Sequence, residues 1–192
     1  MKLNLGCGRN ILDGYINVDN NDSNPEVTFS DLEALHCLDM FDKDSIDEFL
    51  LSHVLEHINT PLDLFESMYL VAKPGALCIV KCPYGSSDDA DEDPTHVRRL
   101  FFGSFGYFGQ PYYWRADYGY VGDWQVKKVI LAVDEKYVTP SRTPAQVIED
   151  IDRYRNTVIE MVAQLVAIKP AREQKKELQE TPEIEIVRAR RS

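Results

Sequence analysis

Short apolar runs bounded by turn residues dominate residues 1–84. Runs at 3–7, 15–19 and 27–31 read as strands, with 32–44 following as helix or loop. A fourth strand is expected from Ile46 to His53. Its near-continuous apolar run Phe49-Leu50-Leu51 suits a central parallel strand covered on both faces. Residues 62–72 place Leu62, Phe65, Met68, Tyr69 and Ala72 on one helical stripe. Pro61 suits the first turn of that helix, and Lys73-Pro74-Gly75 stops it. A fifth strand follows from Ala76 to Cys82. Strands separated by helical segments predict right-handed crossovers and an α/β, Rossmann-like, doubly wound, mostly parallel sheet.

The second half is patterned differently. Residues 85–95 form an acidic polar loop, and Phe101 to Trp124 is rich in aromatics and glycine. Trp124 to Val133 reads as a strand. Val147, Ile148, Ile151, Tyr154, Val158, Met161, Val162 and Leu165 recur at helical spacing, which predicts a long amphipathic helix over 144–168. Lys169-Pro170 would end or kink it, a polar helix would span 171–179, and Ile184 to Val187 would be a last short strand. The exposed stripe of an isolated helical arm must be covered, which predicts a homodimer through 144–168.

The most specific chemistry lies at the start. Leu3-Asn4-Leu5-Gly6-Cys7-Gly8 reads as a strand entering a tight turn, where Gly6 and Gly8 let a ligand approach the backbone. Asp19 ends the next strand, where a carboxylate can accept hydrogen bonds from a ribose diol. A dinucleotide site wants a third glycine, which is Ile11 here, and an acid about 20 residues on. Asp19 follows Gly6 by only 13 positions, too few for a full crossover helix that would meet a pyrophosphate. No Gly-Lys-Ser/Thr follows, so a P-loop is excluded. A nucleoside ligand without phosphates remains.

Four segments in order carry a family resemblance: LNLGCG, the acid after the second strand, LLSHVLEHI and AKPGALCIVKCPY. Together, over residues 3–84, they resemble class I S-adenosylmethionine-dependent methyltransferases, and in particular a small bacterial branch with a shortened first crossover. The resemblance implies S-adenosylmethionine as cofactor and a sheet closed by an antiparallel last strand. Gly6, Cys7 and Gly8 would pass the methionine part, Asp19 would hold the ribose, and Asp31 with Leu32 would meet the adenine. Ser52 and His53 would border cofactor and acceptor. The whole chain, 1–192, would be one methyltransferase domain. Residues 1–84 would form its cofactor half, 85–133 the acceptor-side loop and strand, and 143–179 a C-terminal helical insertion before the last strand.

His53 is the first candidate general base and His96, three residues after Asp93, the second. Tyr84, Tyr107, Tyr112, Tyr113 and Trp114 could wall a substrate pocket, and Arg98 and Arg99 could grip an anionic acceptor. The string His53-Val54-Leu55-Glu56-His57 also spells a zinc-hydrolase signature. That reading needs both histidines on one helical face, and His53 is expected to end a buried strand, so no metal is expected. Glu56 and His57 are expected as hydrogen-bonding groups at a helix start. A module that binds the cofactor without chemistry is the alternative. Ser52-His53-Val54-Leu55 stands where nucleic-acid amino-methylating relatives carry Asn/Asp-Pro-Pro-Tyr/Phe.

Composition narrows the setting. Apolar residues at 44% and charged residues at 28% suit a folded globular chain. No apolar run reaches a membrane span, and Met1-Lys2-Leu3 enters the first strand at once, with no leader expected. Cys7, Cys37, Cys78 and Cys82 form no disulfide framework, which predicts reduced thiols in the cytoplasm. Residues 1–100 carry 7 Lys/Arg against 19 Asp/Glu, net −12, while residues 101–192 carry 14 against 13, net +1. The acidic half holds the presumed active site, which disfavours nucleic acid and leaves a small-molecule or glycan acceptor at oxygen or nitrogen.

Overall fold

A computed structural model describes residues 1–21 and 23–190. Strands β1 (Lys2–Leu5), β2 (Ile16–Asp19), β3 (Val27–Phe29), β4 (Ile46–Ser52) and β5 (Ala72–Pro83) are joined in parallel. The helix α1 (Pro61–Val71) makes the crossover from β4 to β5. Turns, and no helix, fill 32–44. A one-turn helix α2 (Asp89–Glu92) lies in the acidic loop, followed by β6 (Trp124–Asp134), α3 (Pro144–Arg153), β7 (Val158–Ala167) and β8 (Glu183–Ala189). All eight strands share one sheet in the order β3-β2-β1-β4-β5-β7-β6-β8. It is the expected Rossmann-like α/β sheet, mostly parallel, with its antiparallel pairing toward the C-terminus.

The antiparallel strand is not the last one. β7 runs against both β5 and β6, whereas β8 pairs parallel to β6 at the edge. The predicted helix over 144–168 is real only as α3, closed at its start by a Thr143–Gln146 capping box. Beyond it, Asn156 takes φ +60° and breaks the helical path. From there Met161, Ala163, Leu165 and Ala167 are buried in alternation, a period of two that four β-branched neighbours (Val158, Ile159, Val162 and Val166) favour. The helical spacing of the apolar residues was a coincidence of two elements read as one. The polar helix expected over 171–179 reduces to a single 3-10 turn, Lys176–Leu178, so 143–179 is not a helical insertion.

The continuous helical stripe from which a homodimer through 144–168 was expected is therefore absent. Val147 and Ile151 of α3 are buried within the chain, and β7 is paired on both edges. Tyr154, at the end of α3, stays exposed.

Part of the aromatic segment 101–124 packs onto α1, while Tyr107 and Tyr118 stay exposed. Phe108 stacks on Phe65 of α1 with ring centroids 3.6 Å apart. Trp124 meets Phe65 edge-on and donates its indole N–H to the Phe65 carbonyl at 3.1 Å. The fully buried Asp123 accepts from the Arg172 backbone N–H and guanidinium at 2.7–2.8 Å and from Gln110 N–H at 3.1 Å. Those bonds fasten the segment after β7 to the aromatic layer. All four cysteines are free and buried. Among the described residues, no helix is long and apolar enough to cross a membrane.

Removing one partner of a buried ion pair leaves an uncompensated charge, at a cost of about 3–5 kcal/mol. Arg172→Met should therefore destabilise the chain by about that much in urea unfolding; a change below ~1 kcal/mol would show that Asp123 is solvated once unpaired.

Candidate functional site

The site is built on the carboxyl ends of β1, β2, β3 and β4. Gly6 leaves β1 at φ +63°, and a β-carbon there would lie 2.6 Å from Cγ2 of Val54. Only glycine satisfies both the conformation and the contact. Gly8 turns the chain again at φ +53°, and its N–H donates to Asp19 Oδ2 at 2.8 Å. The loop behind is braced by two buried amides. Asn4 Nδ2 donates to Asn10 O and to Asn17 Oδ1, and that oxygen also accepts from Leu12 N–H at 3.0 Å. Neither asparagine was singled out from the sequence; each looks there like one more polar residue in a short strand.

A cleft of about 370 Å³ opens beside this turn. Gly6, Asp19, Asp31, Leu32 and His53 all line it. Cys7, Gly8 and Ser52 do not. Cys7 is buried behind the turn with its N–H on Val18 O, and Ser52 pairs with Lys81 inside the sheet. Burial, helped by Asp19, raises the Cys7 thiol above its ordinary value. Asp31 Oδ1 accepts from Glu33 N–H at 3.0 Å, so this carboxylate caps its own turn while facing the cleft. Glu33 ties that turn to the start of α1, accepting from the N–H and side chain of both Asn59 and Thr60. Partial burial opposes ionisation of Glu33, but those hydrogen bonds outweigh it and hold the carboxyl below its usual range.

The second half of the site begins where β4 stops. His53 takes φ +56°, an unusual conformation for a side chain of this size, and its N–H still bonds Lys81 O at 2.8 Å. The ring is about half exposed. Its Nε2 meets Glu160 Oε1 at 3.1 Å, and its Nδ1 lies 3.4 Å from Glu56 Oε1. Glu56 raises the His53 pKa above its ordinary value; burial works against it and Glu160 adds to it. Glu160 Oε2 also pairs with Lys81 at 3.1 Å. Glu160 was missed from the sequence because it was placed on a helix; in β7 it pairs with Pro83 and reaches the rim.

A one-turn 3-10 helix, Leu55–His57, follows. The chain at 93–98 packs against it. Val97 N–H donates to Glu56 O at 2.9 Å, and Arg98 donates to the carbonyls of Ile58 and Asn59 at 2.8 and 2.9 Å. Arg99 pairs with Asp91. Both guanidinium groups thus have structural partners, and both line a separate cavity with Tyr107 and Tyr113. His96 sits next to His57, ring centroids 4.7 Å apart, with Nε2 3.8 Å from Asp93 Oδ2.

Together these residues line a second cleft of about 430 Å³ with His53, Glu56, His57, Asp93, His96 and Glu160 on its walls, and Asp89 and Glu92 at its mouth. His53 and His57 line both clefts. The two cavities therefore meet at the end of β4. The aromatics expected to wall a substrate pocket lie elsewhere. Tyr84 is buried against Phe101, while Tyr107 and Tyr113 line a separate cavity with Arg98. Burial pushes the Tyr84 and Tyr113 hydroxyls up to about 12.

No protein-family model matches the chain, and no curated protein matches it in sequence. Solved structures do match in fold. A S-adenosylmethionine-dependent methyltransferase from Archaeoglobus fulgidus superposes with a TM-score of 0.59 at 17% identity, covering 86% of this chain and 85% of its own. A Thermotoga maritima protein described as a possible histamine N-methyltransferase gives 0.51 at 15% identity, covering 88% and 81%. The [4+2]-cyclase SpnF gives 0.51 at 14%, covering 87% and 75%. The fold is that of class I S-adenosylmethionine-dependent methyltransferases. At these identities the likeness is one of fold, and the cyclase shows that this fold also serves other chemistry.

Two predictions follow from the geometry. Gly6→Ala should close the first cleft, and pairing it with Val54→Ala should relieve the clash but not the φ +63° strain, so ligand affinity recovers only in part; full recovery in the double variant, read by calorimetry, would count against the backbone argument. Glu33, with Arg98 also facing it, has its pKa depressed in the folded chain, so its stabilisation is present above the unfolded carboxyl pKa and lost as pH falls through the folded value. Glu33→Gln should lower stability at neutral pH and flatten its loss on acidification; an unchanged acid-unfolding profile would remove Glu33 from that role.

Proposed function

We propose that this chain is a methyltransferase that uses S-adenosylmethionine and acts on oxygen or nitrogen of a small-molecule or saccharide acceptor. The observation that carries this reading is the meeting of two clefts at His53. One is walled by a glycine turn and strand-end carboxylates, the other by acidic side chains. The first cleft fits a phosphate-free nucleoside on its own terms. It has a backbone face at Gly6 that a β-carbon would obstruct, and a carboxylate at Asp19 already oriented by Gly8. Among the described residues, no lysine or arginine lines it.

In this reading Gly6 passes the amino-acid tail, Asp19 accepts from the ribose hydroxyls, and Asp31 with the Leu32 backbone meets the adenine. When bound, the cofactor supplies a methyl group on a positive sulfur, which needs only a well-aligned nucleophile. Alignment itself contributes about 7–11 kcal/mol of barrier lowering. His53, on the shared rim, takes the acceptor's proton as the new bond to carbon forms and the bond to sulfur breaks. Glu160 and Glu56 flank the ring and stabilise its charged form. His96 lines only the acceptor side, so the reading gives the base role to His53. The protein would work in the cytoplasm, where its four buried thiols stay reduced. The acidic walls suit a neutral or cationic acceptor and repel a polyanion.

Titration with S-adenosylhomocysteine tests the reading directly: saturable binding is expected, and no heat at millimolar ligand would remove it. Asp19→Ala should cost a charge-assisted hydrogen bond, about 1.5–3 kcal/mol or roughly 10- to 150-fold in affinity. His53→Ala should leave that affinity near the parent's and lower turnover on an identified acceptor. Cofactor binding that persists while labelled cofactor transfers nothing to pooled metabolites favours the alternative, a binding module.

A further inference from the structure

Glu56 has an unusual environment for a carboxylate. It is 2% exposed, and neither of its oxygens has a hydrogen-bond partner. Its ion-pair contact is with the His53 ring, whose 3.4 Å approach lacks hydrogen-bond geometry. A buried, unsatisfied carboxylate is costly unless something charged completes it. Beside it stand two histidines from different segments, His57 and His96. One ligand atom from each of the three residues falls within a mutual distance of 4.8 Å.

Both rings are held as metal-binding imidazoles are. His57 Nδ1 lies 3.0 Å from Thr95 Oγ1 and 3.3 Å from Thr95 O. Thr95 Oγ1 in turn donates to Asp93 Oδ1 at 2.6 Å. His96 Nδ1 lies 3.3 Å from Ala90 O. A ring whose Nδ1–H is taken by a carbonyl presents Nε2 as a lone-pair donor, the outer-sphere pattern that fixes tautomer and orientation at metal sites.

We propose that Glu56, His57 and His96 form a binding site for a divalent transition metal ion of the zinc class, on the wall of the acidic cleft. Two imidazoles and one carboxylate are a donor set that zinc accepts, leaving positions for water or an acceptor oxygen. Four-coordinate zinc at about 2.1 Å would bring its ligands about 3.4 Å apart, so small side-chain rotations from 4.8 Å close the site. Asp93 Oδ2, 3.8 Å from His96 Nε2, is available as a fourth ligand. The grouping differs from the helical pair that the His-x-x-Glu-His spacing suggested. His53 ends β4, and its place is taken by a histidine 39 positions after His57. The inference stands on the donor geometry and does not depend on methyl transfer.

The test uses the full chain, stripped with a chelator and freed of it, titrated calorimetrically with zinc chloride. A single equivalent bound in the micromolar range or tighter is expected. His57→Ala and His96→Ala should each abolish saturable binding, and Glu56→Gln should weaken it. Thr95→Ala, which removes only an outer-sphere contact, should weaken it by roughly 10- to 100-fold. His36→Ala, on an exposed turn beside Asp39, should bind as the parent does. Circular dichroism keeps a misfolded variant from counting. Absence of saturable binding by the parent overturns the proposal, as does parent-like affinity in folded His57→Ala and His96→Ala. The same stripped protein titrated with S-adenosylhomocysteine separates the two readings, since either ligand can bind while the other fails.

Discussion

The carboxyl ends of β1 and β4 approach so closely that no side chain fits between them. Gly6 lies against the methyl groups of Val54, and the rest of the site depends on that contact. It sets the first strand's turn directly beside the end of the fourth, so one short stretch after β4 can face the nucleoside-sized cleft and its neighbour together. A bulkier residue at either point would push the strand ends apart and disconnect the cavities. The sheet supplies the rigidity for this arrangement: β1 and β4 are each flanked by two strands.

Beyond β4, strain and burial replace regular structure. His53 holds a left-handed backbone because the strand must stop and the chain must turn back over the sheet edge within a few residues. That turn buries Glu56 and presents His57. The 93–98 segment is then pinned onto it by backbone hydrogen bonds and by Arg98, whose guanidinium serves chain carbonyls. The charge imbalance seen along the chain takes spatial form here. Glu56, Asp89, Glu92 and Asp93 of the acidic first half gather at one cleft, where Glu160 from β7 joins them.

β1, β4 and β5 were legible because strands covered on both faces leave near-unbroken apolar runs, β2 and β3 because turn residues bound them, and α1 because Pro61 and Lys73-Pro74-Gly75 punctuate it. Asp19, Asp31 and His53 were legible for the same reason: each falls where a strand run ends. The C-terminal third was not. α3 and β7 together mimic one helical stripe, and the turn between them is marked only by Arg155-Asn156, a weak signal without the left-handed φ of Asn156 in view. Glu160 was lost with that error. Glu56 and His96 lie 40 positions apart and were each read locally, as a helix-start group and as a second candidate base beside Asp93. Their convergence depends on Val97 reaching back to Glu56, which no local pattern encodes.

The strip from His53 to Ile58 forms a party wall between two chambers. Whatever occupant stiffens that strip from one side spends conformational entropy that an occupant on the other side need not spend again. Such coupling is reciprocal by thermodynamic necessity: each occupant must alter the other's affinity by the same factor. The gain or loss passed through this wall is therefore the same whichever chamber fills first.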